Sequence, residues 1–113
     1  MVRIDTTRQK LAEAYAGLGT YFGLAPDDPG DSATPTDEAL GGGYARVATT
    51  WSAGAAGVQT GTACVVNAAA GAYGYAILCA DADGPTMIDN TKIAGAMLPS
   101  DGQIVLTPTY TQS

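Results

Sequence analysis

Residues 60–80, Thr60-Gly-Thr-Ala-Cys64-Val65-Val66-Asn67-Ala-Ala-Ala-Gly71-Ala-Tyr73-Gly-Tyr75-Ala-Ile77-Leu78-Cys79-Ala80, decide the fold class. Two nearly all-apolar runs, Thr60–Asn67 and Tyr73–Ala80, flank the small-residue stretch Ala-Ala-Ala-Gly-Ala. Each run is too short for a buried helix and rich in β-branched or aromatic side chains, so both read as strands covered on both faces. Upstream, Tyr44–Trp51 alternates small or polar residues with larger ones and reads as another strand, turned by Ser-Ala-Gly-Ala-Ala-Gly. Downstream, Asp81-Ala-Asp83-Gly84-Pro85 is a strong turn signal. Thr86–Asp89 and Lys92–Ala94 follow as short edge segments, Pro99–Gly102 turns again, and Gln103–Tyr110 is a last strand. Pro108 cannot donate to a ladder and so marks an edge or bulge within it.

The N-terminal portion differs. Ile4–Ala16 predicts one short amphipathic helix, with Ile4, Leu11, Ala14, Tyr15 and Leu18 near one face and Asp5 or Thr6 placed to cap it. Gly17 and Gly19 end the helix, and Leu18–Ala25 reads as the first strand. Pro26–Gly43 is a long surface loop in which Leu40 is the one large apolar side chain, and loops beyond about 12–15 residues are usually functional or disordered. No segment after Gly17 has the helical period that a parallel crossover needs. The expectation is therefore a mainly β chain, an antiparallel β-sandwich or small barrel with one short N-terminal α-helix. Residues 1–17 form the helix, a candidate docking arm, and residues 18–113 form one β domain with its long loop at 26–43.

Composition narrows the chemistry. The 113 residues hold five Lys+Arg, eleven Asp+Glu and no His, a net charge of −6. His-based triads and most zinc sites lack their usual residues, and an acidic chain with no broad basic face is not expected to bind nucleic acid. No stretch approaches the ~20 apolar residues of a membrane span, and the N-terminus lacks the apolar segment of a signal peptide, so cytosolic synthesis without membrane contact is expected. Cys64 and Cys79 lie inside apolar runs, where Cys behaves as a small hydrophobe, and are expected as buried free thiols; a single bridge between neighbouring strands stays open. Asp27, Asp28 and Asp31, like Asp81 and Asp83, sit on turns where oxygen ligands for calcium are often found, but the spacing is incomplete and Asp and Gly are ordinary turn formers. Gly41-Gly-Gly43 precedes a strand rather than a helix and has no Gly-Lys-Ser/Thr, which argues against a phosphate loop. Asp37 and Glu38 are adjacent in a polar loop and point apart, unlike a glycosidase pair. No Ser, Thr or Cys carries a recognisable base or oxyanion motif beside it. Neither catalysis nor a cofactor is expected.

Charge is placed unevenly. Arg3, Arg8 and Lys10 fall within the first ten residues, leaving only Arg46 and Lys92 in the remainder. The arm is either a solvated helix face or a docking surface for an acidic partner. Arg46, set in a strand-like run, is expected to pair with a loop carboxylate, Asp28, Asp31 or Glu38, and to pin the long loop to the sheet. Arg3, Arg8, Lys10, Asp28, Asp31, Glu38 and Arg46 are accordingly the candidate partner-docking residues.

The string Leu24-Ala-Pro-Asp-Asp-Pro29-Gly30, then Glu38, then Gly41-Gly-Gly-Tyr44-Ala45-Arg46, followed by a Trp or Phe strand end, resembles small structural proteins of tailed bacteriophages, especially those of actinobacterial hosts. Their pattern runs L-x-x-x-D-P-G … N/D-E-x-x-G-G-x-Y-A-R, with a later strand ahead of an Asp/Gly turn, here Tyr75–Gly84. The likeness spans about residues 18–106. It implies a virion protein of head-decoration, minor-tail or tail-fibre type with no catalytic residues. Such a protein is made in the host bacterial cytoplasm and carried on the virion surface. Its partners would be the major capsid protein or other virion proteins, with homo-oligomers on the particle. A decoration protein that stabilises the capsid shell is the first expectation. The alternative is a tail subunit for host attachment, with Tyr44, Trp51, Tyr73 and Tyr75 as glycan-stacking surfaces.

Overall fold

The computed structural model describes residues 2–113. It holds helix α1 (Asp5–Leu18) and nine strands: β1 (Tyr21–Ala25), β2 (Val47–Ala48), β3 (Trp51–Ala53), β4 (Val58–Gly61), β5 (Cys64–Ala68), β6 (Gly71–Cys79), β7 (Met87–Leu98), β8 (Gly102–Leu106) and β9 (Thr109–Thr111). The mainly β, antiparallel architecture with one N-terminal helix agrees with the sequence expectation. The strands form three sheets, in the orders β2-β1-β6-β7, β3-β4-β9 and β5-β8, and every pairing is antiparallel.

Three runs expected as single strands are each bent across a corner into two. Tyr44–Trp51 contributes β2 and the start of β3, Thr60–Asn67 belongs to β4 and β5, and Gln103–Tyr110 to β8 and β9. The corners lie together. Thr49 donates its hydroxyl to the carbonyl of Thr62 at 2.7 Å, the Thr50 amide donates to the Thr62 hydroxyl at 2.9 Å, and the Gly61 amide donates to the Pro108 carbonyl at 2.9 Å. Threonine hydroxyls thus take over backbone groups that the ladders release at the bends. The sheets thereby run into one another in the order β7, β6, β1, β2/β3, β4/β5, β8/β9. This is a small barrel left open between β7 and β8, neither of which has a strand on its outer edge.

Other expectations change in detail. The two weak segments after the Asp81 turn are one twelve-residue edge strand, β7, because a bulge lets it continue: Tyr73 faces Ala96 while Tyr75 faces Lys92. β5 alternates buried and exposed residues instead of being covered on both faces. The helix packs on β3 and β4 through buried Ala12 and half-buried Arg8, Gln9, Tyr15 and Ala16, leaving Ile4, Leu11, Ala14 and Leu18 outward. Small Ala12 and Ala16 permit close approach, Gln9 accepts from the Gly57 amide at 2.9 Å, and Tyr15 stacks on Tyr110 with ring centroids 3.6 Å apart. Neither Asp5 nor Thr6 caps the helix; Ile4 stands at the cap without a side-chain hydrogen bond, and Asp5 lies in the first turn, where the helix dipole favours it.

The core is built around Leu24, Val66, Ile77 and the two cysteines, both buried and free. One glycine is required by packing. Gly42 has φ +64, and a β-carbon there would lie 2.7 Å from the Ala68 carbonyl carbon, so the Gly41–Gly43 run presses the loop end onto β5. Gly95, within the β7 bulge, faces open space. Gly42→Ala is expected to lower unfolding free energy by about 2 kcal/mol or more, whereas Gly95→Ala stays within about 1 kcal/mol of wild type, as read from urea unfolding midpoints.

Candidate functional site

The most polar interior feature is built from the loop, two strands and a turn. Tyr44 and Arg46 lie just before β2, Glu38 lies in the second half of the long loop, and Asp81–Thr86 forms the turn between β6 and β7. Arg46 Nε donates to Glu38 Oε2 and Nη2 to Oε1, both at 2.8 Å, a two-pronged ion pair. Nη2 also reaches the Gly84 carbonyl at 3.0 Å, and Nη1 reaches the Asp81 carbonyl at 3.2 Å and the Thr86 hydroxyl at 3.4 Å. All five guanidinium N–H groups therefore have an acceptor, and Arg46 is only 8% exposed. Tyr44 donates to Glu38 Oε2 at 2.6 Å and accepts from the Leu24 amide at 3.1 Å. The Ala39 amide donates to the Leu24 carbonyl at 3.0 Å. Past the two-residue pairing with β2, the free edge of β1 is thus completed by the loop.

Burial pushes the Glu38 carboxyl up, but the hydrogen bonds from Arg46 and Tyr44 and the guanidinium charge outweigh it and hold the group below its ordinary range. Burial and the neighbouring carboxylate raise the Tyr44 phenol, and the Glu38 hydrogen bond raises Arg46 against its own burial. Burial likewise raises both thiols, Cys79 to about 11. The Glu38 carboxylate, the Tyr44 hydroxyl and the Arg46 guanidinium each face another protein group, an arrangement that locks the loop onto the sheet and the turn.

Of the three carboxylates expected for Arg46, Glu38 is the partner. Asp28 accepts from the Gly30 amide at 2.9 Å and shapes its own turn, and Asp28 and Asp31 are exposed. The loop is ordered: Pro29 is fully buried, Asn90 donates to the Gly30 carbonyl at 2.9 Å, and the Met87 amide donates to the Ala33 carbonyl at 3.0 Å. In the arm, Arg3 donates to the Ser113 carbonyl at 2.9 Å, Arg8 pairs with Asp5, and Lys10 is exposed. Of the aromatics considered for glycan stacking, Tyr73 is buried with its hydroxyl on the Ala69 carbonyl, Tyr44 is engaged as described, and Trp51 donates to the Gly19 carbonyl at 3.0 Å and meets Phe22 and Tyr15 edge-on. Tyr75 is half-buried. Among the described residues no group of three or more His, Cys, Asp or Glu could hold a metal, and no helix is long and apolar enough to cross a membrane.

A second feature was not read from the sequence. Where the barrel fails to close, a groove of about 810 Å³ runs between β7 and β8, walled by Ile93, Ala96, Ile104 and Leu106, with Phe22 and Leu78 beneath and Asp89 on its lining. Asp89 accepts from the Tyr15 hydroxyl at 2.8 Å. No residue after Met87 is buried, so the apolar side chains of this flank are covered on one side only. The signal present in the sequence was the alternation of Ile104, Leu106, Pro108 and Tyr110, which specified an inward face without showing that nothing closes over it.

No family model, curated protein or solved structure matches the chain.

Three measurements check these contacts. Arg46→Ala is expected to cost about 3–5 kcal/mol, since it strands a carboxylate and two turn carbonyls, and Tyr44→Phe about 1–2 kcal/mol. The native Glu38 carboxyl titrates below its ordinary value of 4.5, so its contribution is complete above that pH and is lost as the pH falls through the depressed native value. Urea midpoints followed from neutral pH into acid should fall more steeply for wild type than for Glu38→Gln, which lacks that titration. The thiols are expected to resist a disulfide reagent at mildly alkaline pH in the native protein and to react promptly once it is unfolded.

Proposed function

We propose that this chain is a non-enzymatic structural protein of a bacteriophage particle, a decoration protein that binds and stabilises the shell formed by the major capsid protein. The observation that supports this reading best is the open flank, an apolar groove between the free edges of β7 and β8 that burial against another subunit would complete. A fold whose central polar cluster of Glu38, Tyr44 and Arg46 is self-satisfied, and whose open flank is apolar and extended, suits assembly better than turnover. The sequence likeness to small virion proteins supports the same reading, since the residues that carry it, Glu38, Tyr44 and Arg46, are those that lock the long loop.

In this reading the loop serves as a rigid strap whose outer side, including Leu40 and the exposed carboxylates Asp28 and Asp31, is presented to the particle. The basic arm is a second presented surface. The tail-attachment alternative has less support, because Tyr44, Trp51 and Tyr73 are engaged in internal contacts rather than displayed.

Quantitative mass spectrometry of purified virions, referenced to the major capsid protein, tests the proposal. Hundreds of copies per particle are expected. A handful would move the protein to the tail or a vertex, and its absence from the particle would overturn the reading.

A further inference from the structure

The chain carries two unpartnered surfaces of complementary character. One is the groove between β7 and β8, apolar along its walls, with Asp89 on its lining and the exposed carboxylates Asp28 and Asp31 in the hollow beside Asp89. The other is the outward face of α1. Ile4, Thr7, Leu11, Ala14 and Leu18 all lie exposed there, at alternating steps of three and four residues, which is the spacing of a helix seam that packs into a partner. Lys10 flanks this seam, is exposed and makes no ion pair among the described residues.

We infer that the α1 seam of one copy seats in the β7/β8 groove of a second copy. Charge selects this occupant. Residues 1–18 hold three cations and two carboxylates, whereas the remaining residues hold two cations and nine carboxylates. Pairing α1 with α1 would set the exposed Lys10 of one copy beside that of the other, and pairing groove with groove would set Asp89 against Asp89. Seating the seam in the groove avoids both repulsions and places Lys10 near the acidic side of the flank. Helix-in-groove contact of this kind is anchored by apolar side chains one turn apart. Because seam and groove are different surfaces, the contact is heterologous and adds copies head to tail, closing into a ring if the rotation permits.

The inference rests on the assembly reading only in treating the flank as an interface, and its test needs no particle. Sedimentation velocity of the full chain over a wide concentration range is compared with Leu18→Glu, which damages the seam, and Val105→Lys, which damages the groove rim. The two positions are 59% and 60% exposed, so both variants are expected to keep the fold, and thermal melts check this. Wild type is expected to associate beyond a dimer, less so at high salt. Each variant alone should weaken association at least about tenfold. Their mixture should recover a dimer that grows no further, since the Val105→Lys chain supplies an intact seam and the Leu18→Glu chain an intact groove. Lys10→Glu, a surface change remote from the core, should weaken association as well. A wild type that stays monomeric, a Val105→Lys chain that still self-associates fully, or a mixture that stays monomeric would each overturn the contact. A monomeric chain that is nevertheless present in hundreds of copies on virions sinks this inference and leaves the particle role standing; a chain that associates as described but is missing from virions does the reverse.

Discussion

The structure depends on one guanidinium. Arg46 has five N–H groups and five acceptors, drawn from the loop carboxylate Glu38 and from the turn that joins β6 to β7. Without it, an eighteen-residue loop would have little beyond Pro29, Ala39 and a few backbone hydrogen bonds to hold it, and its conformational entropy would favour release. A buried ion pair is weak support for stability in itself, because removing two charges from water offsets most of their attraction. What the pair supplies here is uniqueness of position. The planar fork accepts only one arrangement of Glu38 and the two turn carbonyls, and Tyr44 extends that arrangement to the edge of β1.

That edge explains how a sheet with such short members persists. β2 pairs with only Tyr21 and Phe22, and the Leu24 amide and carbonyl beyond it are taken by Tyr44 and Ala39. The loop therefore acts as a surrogate strand on one side of β1 while β6 serves the other. Along β7, residues 30–33 of the same loop cover the first turn of the outer edge through the Met87 amide and the Asn90 side chain. The strap seals both ends of the four-stranded sheet and leaves the second half of β7 uncovered.

Fold class was legible because it rests on periodicity and punctuation: apolar runs too short for helices, turn signals every ten or so residues, and one helical stretch before the first glycines. The Arg46 pairing with a loop carboxylate was legible for a different reason, the scarcity of cations, which left few ways to neutralise a charge set in an apolar, strand-like run. The bends were not legible. Thr49–Thr50 and Thr62–Ala63 look like strand interiors, and only hydrogen bonds made across distant sequence turn them into corners; Pro108 signalled an irregularity at the third bend but not that the strand crosses to another sheet there. The helix face was misread because Leu11 and Leu18 outrank Ala12 and Ala16 in hydrophobicity, while close approach to β3 and β4 favours the smaller side chains. The groove was invisible for the same kind of reason: whether β7 and β8 meet is decided by barrel closure, which no local pattern encodes.

An uncovered strand edge beside an apolar groove invites uncontrolled pairing, and the chain limits it in recognisable ways. The first part of β7 is capped by the loop, and the bulge opposite Tyr73–Tyr75 disrupts the ladder before the strand resumes at Ala96. Lys92 and Asp89 place opposite charges on the exposed run, so that a strand laid alongside in arbitrary register meets a mismatch. These features discourage addition of an extended segment but do not obstruct side chains entering the groove from above. The flank thus discriminates between two modes of contact that its apolar surface alone would permit equally. It resists templated strand growth while remaining open to a helix or loop that brings apolar side chains and a positive charge.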